Sequence, residues 1–524
     1  MHADLPLSMA DDLEYNSRWH GAELAYIEEE RSLTHRQLLS RGLRLGSAIY
    51  EAGLRHQDRI GVLAMNCIEY GEVVASAQCS GFVLATVNFR LAPPEIAYII
   101  NDGRPKILFF EAQYLAVVEQ LRSHLPSVDV YVCIGGEASW AENYEKFIAR
   151  GDEVGPPIRS REEDIFCLIY TSGTTGRPKG CIWGQREFRK TAAMSAFKTE
   201  LQQPDRIMLV MPMFHKGGLA MSQSQLAVGG TCCLFRQFDA NALLAAIHRD
   251  KISIVYLAPT MVQMLLEQPG VEEADLSSVR TVMYSAAPMP LPVLKRAMEL
   301  FPGCGFVNLY GQTEICTFSL SSTQHRPFGD ERDIKRLTSV GKPHGNHVQV
   351  RIVDEDDNDC PVGVPGEILA RSGAMLRGYW NNHSASLEAL RNGWVHTGDV
   401  GKLDEDGFLY LVDRKKDVII SGGENIYSRE VEDAVVTHPA VSECAVIGIP
   451  DEKWGESVCA VITLRPGRYV ADQELIEYVR TRIAGYKKPK YIITLDELPK
   501  LVTGKVNKLE LRQRYALKQE APAV

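Results

Sequence analysis

Strand-like and helix-like periods alternate along this chain from Arg59 to Phe301, and no other feature narrows its fold as much. Arg59 to Met65 reads as a buried strand, Ile68 to Ser80 as a helix, Leu84 to Phe89 as a strand, Pro93 to Asn101 as a helix and Lys106 to Phe110 as a strand. The pattern resumes with helix Ala240 to Asp250, strand Ile252 to Ala258, helix Met261 to Glu267, strand Val279 to Ser285 and helix Leu291 to Phe301. Such alternation predicts α/β layers with largely parallel strands. After Ser321 the texture changes. Val348 to Val353, Gly366 to Arg371 and Gly407 to Val412 are short strand candidates between Asp, Asn and Gly turns, which predicts a β-rich subdomain.

The segment Asp413 to Gly423 is charged, then apolar, then Gly-rich, and reads as a hinge. Beyond it lie roughly a hundred residues, enough for a small α+β domain. At 524 residues the chain is too long for one core. The expected organisation is a large N-terminal domain, 1–414, and a small C-terminal domain, 415–524.

Chemistry enters at Tyr170-Thr171-Ser172-Gly173-Thr174-Thr175-Gly176-Arg177-Pro178-Lys179-Gly180, directly after an apolar stretch that reads as a buried strand. Glycines let a backbone bend until its N–H groups face one point, and hydroxyls with a Lys add donors and charge there. That suits phosphate. The P-loop pattern is excluded, because Pro178 stands where that pattern needs the Gly before the Lys. The alternative reading is a linker rich in Ser, Thr and Gly.

Three further segments follow in order: Tyr310-Gly311-Gln312-Thr313-Glu314 after an apolar strand, Trp394-Val395-His396-Thr397-Gly398-Asp399 ahead of a predicted strand pair, and Leu498-Pro499-Lys500-Leu501-Val502-Thr503-Gly504-Lys505 near the C-terminus. Together they resemble the adenylate-forming superfamily: acyl-CoA synthetases, peptide-synthetase adenylation domains and beetle luciferases. The resemblance covers nearly the whole chain. It implies a carboxylate attacking the α-phosphorus of ATP to give an acyl-adenylate and pyrophosphate, then transfer of the acyl group to a thiol. It also implies a small domain that rotates between the two steps.

The resemblance assigns roles residue by residue. Thr171 to Gly176 with Lys179 would hold the β- and γ-phosphates. Glu314 would bind Mg²⁺, since a hard cation bridging phosphates wants a carboxylate oxygen. Thr313 would face the α-phosphate. Tyr310, leading into Gly311 and Gln312, would stack on adenine, with the backbone of Ser285, Ala286, Ala287 and Pro288 along its other side. Asp399 would accept the ribose hydroxyls, supported by Arg414. Lys505 would offset charge on the transferring phosphate and the substrate carboxylate. Lys416 stands where the family has its hinge residue. Gly422, Gly423 and Glu424 would line a channel for the CoA thiol, although a Gly pair between strand and helix reads equally as a turn. His215, ahead of Gly217 and Gly218, would border the acyl pocket. Amino-acid-activating relatives tend to carry an Asp there, so its absence counts against an amino acid.

The remaining composition sets bounds. A formal charge of −10 argues against nucleic-acid binding, which usually needs a basic surface. Twelve cysteines without a C-x-x-C pair lie mostly in apolar segments and read as reduced buried thiols of a cytoplasmic protein. Met1 to Asn16 has no secretory pattern, and the longest apolar stretch, Val73 to Phe89, is too interrupted for a membrane span. The acyl-lining candidates, Phe214 to Ser222, Met283 to Ala287 and Gly311 to Phe318, are small and apolar with Lys216 as their one Lys or Arg. That predicts a hydrophobic acid: a fatty acid, an arylalkanoate or a steroid side chain. ATP, Mg²⁺ and CoA are the expected cofactors and co-substrates, and a homodimer is the assembly considered. Loading of a carrier protein and a non-catalytic nucleotide binder are the alternatives.

Overall fold

The computed structural model of the chain describes residues 7–171, 177–287, 289–321, 324–326, 329–343, 348–422, 424–451, 453–501 and 505–515, with the side chains of 316–320 excepted. It divides into two compact units. The first comprises Met1–Val350 and Ala370–His396, the second Arg351–Leu369 and Thr397–Val524.

The first unit holds two large sheets with parallel strands at their centres, in keeping with the α/β layers that the alternating periods predict. One has eight strands in the order Gly378–Tyr379, Gly180–Gly184, Ile165–Tyr170, Val83–Thr86, Arg59–Leu63, Ile107–Glu111, Val130–Ile134 and Glu142–Asn143. Its central neighbours pair in parallel, Arg59–Leu63 with both Val83–Thr86 and Ile107–Glu111. The other has nine strands, with Thr281–Ser285, Ile254–Leu257, Arg206–Leu209 and Thr231–Leu234 parallel at its centre. The helix Ile68–Ser80 is buried along its whole length, which explains why its apolar residues show no one-sided stripe. Pro93 and Pro259 stand at helix starts, where a missing N–H costs nothing. Trp183, Tyr26, Phe166 and Phe188 are among the largest fully buried side chains.

Three local readings shift. The strand Gly305–Gly311 runs on through Tyr310 and Gly311, because Cys316–Leu320 returns antiparallel against it. Trp394–Leu403 is a single strand that includes Thr397 and Asp399, rather than a loop before a strand pair. Gly422 follows the strand Ile419–Ser421, and the next described element is another strand, Glu424–Ile426, with Ser421 opposite Glu424, rather than a helix.

In the second unit, Asp399 to Leu403 pairs antiparallel with Leu409–Arg414. A five-stranded sheet follows, in which Gly455–Leu464 pairs antiparallel with Val441–Asp451 and parallel with Tyr491–Thr494. The helices Ser428–Val436 and Asp472–Arg480 bury Val431, Val435, Leu475 and Val479 in that unit's core. This is the α+β texture the sequence predicts. Among the described residues, no helix is long and apolar enough to cross a membrane.

Candidate active site

The Ser/Thr/Gly run is flanked in sequence by two paired strands. Ile165–Tyr170 and Gly180–Gly184 are antiparallel, with Tyr170 opposite Gly180. The Thr171 N–H donates to the Lys179 carbonyl at 3.0 Å, closing the connection. Ser172, Gly173, Thr174, Thr175 and Gly176 lie outside the described residues. The base of the hairpin is fixed from two sides. The Tyr170 hydroxyl donates to Asp102 at 2.8 Å, and the Trp380 N–H donates to the Gly180 carbonyl at 2.8 Å. The Lys179 ammonium lies 5.1 Å from the centroid of the Tyr379 ring, within cation–π reach.

The segment Tyr310 to Glu314 turns back at the same part of this unit. The Gln312 N–H donates to the Ile315 carbonyl at 2.8 Å, and the Trp183 indole donates to the Thr313 carbonyl at 3.0 Å. Leu376 N–H holds the Glu314 carbonyl at 2.9 Å. The Glu314 side chain accepts the Tyr379 hydroxyl through Oε1 at 2.7 Å. Burial, reinforced by the Glu314 charge, pushes the Tyr379 phenol far above its ordinary pKa, so it stays a donor. Ser285 and Leu309 are partners on parallel neighbouring strands, so Ala286 and Tyr310 leave adjacent positions at one sheet end. Ala286 has φ +75°, a conformation that costs an L-residue roughly 1–2 kcal/mol. Ala287 is exposed, and Pro288 lies outside the described residues.

His215 caps the helix Lys216–Ala227 and packs against Phe214, ring centroids 4.3 Å apart, while Phe214 meets Phe89 edge-on at 5.1 Å. Gly218 sits so close to the preceding loop that a Cβ would fall 2.2 Å from the Pro212 carbonyl, so no larger residue fits. A Cβ on Gly217 would come within 3.3 Å of the Tyr256 hydroxyl, which itself pairs with Ser285 Oγ at 2.7 Å. The Lys216 ammonium is buried between Trp183 and Phe188, 3.9 and 4.3 Å from their ring centroids.

The second unit gathers its own set. Asp399 is 5% exposed, and its Oδ1 pairs with Arg414 Nε at 2.6 Å. Their strands place the two residues directly opposite each other. Lys505, distant in sequence, comes within electrostatic reach of both. Its side chain keeps solvent access, yet the surrounding protein and the Arg414 charge push its pKa below the ordinary lysine value, with Asp399 opposing. The backbone between Arg414 and Val418 is a short 3₁₀ turn. Lys415 pairs with the buried Glu367 at 2.9 Å and Asp417 with Arg512 at 2.9 Å, leaving Lys416 exposed between two anchored neighbours. Gly422 has φ +61°, donates its N–H to the Trp454 carbonyl at 2.8 Å, and carries the Trp454 ring where a Cβ would sit. Glu424 is exposed, and Gly423 lies outside the described residues.

Comparison with known proteins shows the family. The family model described as AMP-binding enzyme matches residues 13–380, and that of the AMP-binding enzyme C-terminal domain matches 430–505. The chain belongs to the AMP-binding enzyme family. It is 34% identical over 491 residues to an indoleacetate–CoA ligase of Aromatoleum aromaticum, covering 93% of this chain and 94% of that one. It is 33% identical over 502 residues to the long-chain-fatty-acid–CoA ligase FadD13 of Mycobacterium tuberculosis, covering 94% and 95%. The solved structure of the anthranilate CoA ligase AuaEII with anthranoyl-AMP superposes with a TM-score of 0.86 at 28% identity, covering 98% of each chain.

Several residues of this AMP-binding enzyme escaped the sequence reading. Tyr379 belongs to none of the motifs, and only strand pairing with Gly180–Gly184 brings it to Glu314 and Lys179. Trp183 also stands outside the motifs, and its indole N–H donates to the Thr313 carbonyl. Glu367 lies in the strand candidate Gly366 to Arg371, to which the sequence assigns no charge pairing. It is buried, receiving the Gly398 N–H at 3.2 Å and the Lys415 ammonium.

Proposed function

We infer that this chain is an ATP-dependent carboxylic acid–CoA ligase that makes an acyl-adenylate and pyrophosphate, then acyl-CoA and AMP. The observation that carries this reading is the buried Asp399 carboxylate paired with Arg414 at 2.6 Å, in the same unit as Lys505, although the sequence separates them widely. A carboxylate, a guanidinium and an ammonium of lowered pKa form a set suited to a ribose and a phosphate. Asp399 receives the ribose hydroxyls, since a carboxylate accepts two donors at once. Arg414 orients that carboxylate. Lys505 donates to the substrate carboxylate and the transferring phosphate, where negative charge accumulates.

In the first unit, Lys179 and the hydroxyls of residues 171–175 hold the outer phosphates, and Thr313 faces the α-phosphate. Tyr310 and the Ala286-Ala287-Pro288 backbone flank adenine, next to Gly311 and Gln312. The donor fits Mg²⁺: the Glu314 side chain offers a hard carboxylate oxygen, with Oε1 held by the Tyr379 hydroxyl. Mg²⁺ keeps waters and takes phosphate oxygens, so one protein carboxylate suffices. When bound, the ion neutralises phosphate charge.

The acyl substrate is a hydrophobic acid, fatty or arylalkanoic. Lys216 lies against two aromatic rings, which supports a pocket that offers no cation to a second carboxylate. His215, Gly217 and Gly218 border that pocket. The thiol arm passes Gly422, Gly423 and Glu424, and Lys416 is the pivot between half-reactions. Pyrophosphate exchange that depends on added acid tests the first step. A panel of fatty, arylalkanoic and dicarboxylic acids, each with free CoA and with a pantetheinylated carrier protein, tests the rest. Exchange without any acid dependence would refute the enzyme reading, and a preference for carrier over CoA would replace the acceptor.

A further inference from the structure

We infer that Tyr379 is the positioning residue of the phosphate-binding corner: its hydroxyl sets the orientation of the Glu314 carboxylate and its ring seats the Lys179 ammonium. The inference rests on the reading of Glu314 as the Mg²⁺ ligand. Two independent contacts carry it, the 2.7 Å hydrogen bond to Glu314 Oε1 and the 5.1 Å approach of Lys179 Nζ to the ring centroid. One side chain therefore touches the proposed metal carboxylate and the proposed phosphate cation at once.

The backbone of Tyr379 is itself held. It lies opposite Cys181 on the strand that follows Lys179, and its N–H donates to Ser386 Oγ at 2.8 Å. Trp380 and Arg377, on either side, donate their N–H groups to the Gly180 and Ile182 carbonyls at 2.8 and 2.9 Å. At 9% exposure the ring has little freedom. A carboxylate on a turn has several rotamers, and a metal ligand needs one. A phenol donating into one oxygen selects that rotamer and directs the other oxygen outward. Among the described residues no group donates to that second oxygen. Groups that orient a metal ligand typically control metal affinity by about 10–100-fold.

The test uses the full chain with Mn²⁺ in place of Mg²⁺, read by electron paramagnetic resonance, in the presence of an ATP analogue with a methylene between the α- and β-phosphorus. Affinity for the same analogue in excess chelator is measured by calorimetry. Tyr379→Phe should weaken Mn²⁺ by about 10–100-fold and leave metal-free analogue binding unchanged, because the ring under Lys179 survives. Tyr379→Leu should weaken both. Glu314→Gln should weaken Mn²⁺ alone. Wild-type Mn²⁺ affinity in Tyr379→Phe, alongside a loss in Glu314→Gln, would overturn the inference and spare the metal assignment. Wild-type Mn²⁺ affinity in Glu314→Gln would remove the metal assignment, and the inference with it. Equal losses of Mn²⁺ and metal-free analogue in Tyr379→Phe would make the phenol merely structural and overturn the inference as well.

Discussion

Removing the Asp399 carboxylate should separate nucleotide binding from folding. In Asp399→Ala the ribose loses two hydrogen bonds to a charged acceptor, each worth about 1.5–3 kcal/mol. At 1.4 kcal/mol per decade, the lower bound of about 3 kcal/mol is a loss of roughly 100-fold in ATP affinity. The same change strips Arg414 of its 2.6 Å partner. Breaking a fully buried pair costs about 3–5 kcal/mol. The Arg414 side chain is 40% exposed, so water replaces part of what it loses and the cost to stability falls to about 1–3 kcal/mol. A third effect follows at Lys505. Asp399 raises the pKa of that ammonium, against burial and Arg414, which lower it. Without Asp399 the pKa drops further. The protonated lysine is the active form, so activity is full below its pKa and lost as pH rises through it. The alkaline limb of pyrophosphate exchange should therefore move to lower pH. Calorimetry with ATP, urea unfolding and a pH–rate profile read the three effects separately. A folded Asp399→Ala protein with wild-type ATP affinity would falsify the ribose assignment. An alkaline limb that stays in place would show that Lys505 does not sense this carboxylate.

Three other outcomes are expected. Lys505→Ala should lower adenylate formation by about 100–1,000-fold while sparing thioesterification of a supplied acyl-adenylate; equal loss in both half-reactions would sink the idea that Lys505 serves only the first. Lys416→Pro should leave pyrophosphate exchange and cripple acyl-CoA production, because a proline fixes φ near −65° at the pivot and disfavours the turn conformation of Lys415 before it; acyl-CoA made at the wild-type rate would remove Lys416 as the hinge. His325 donates from Nδ1 to the Ser321 carbonyl and accepts the Tyr284 hydroxyl at Nε2, each at 2.9 Å, and burial pushes its pKa down to about 4. The unfolded chain takes up that proton near pH 6.5, so stability falls from pH 6.5 towards 4 by about 3 kcal/mol; His325→Gln should flatten urea midpoints across that window, and an unchanged slope would refute the assignment.

What was legible in the sequence is what short stretches determine. The helix Ala240–Asp250 and the strand Val348–Val353 fall where their periods place them, since each is fixed by its own residues. The α/β layering follows from the same local alternation. The strand Gly305–Gly311 overran its expected end because the returning strand Cys316–Leu320 supplies partners that periodicity cannot foresee. The Gly422 turn was misplaced between strand and helix because Glu424–Ile426 becomes a strand only by pairing with Ile419–Ser421.

The same division explains the sites. Lys179, Glu314 and Asp399 announce themselves because charged groups beside Gly and Thr are unusual in sheet-forming sequence. Tyr379 and Trp183 do not, since aromatic residues in apolar strands are ordinary core. Their contribution is visible only through pairing that joins the hairpin at Gly180–Gly184 to Gly378–Tyr379, and through hydrogen bonds from both to the turn at Thr313 and Glu314. The groups that would meet the nucleotide directly are therefore legible as motifs, whereas those that aim them are drawn from the core. It follows that Tyr379→Phe, which keeps the ring and removes only the hydroxyl that reaches Glu314, should act on metal affinity before it acts on the fold, the reverse of what a buried aromatic suggests.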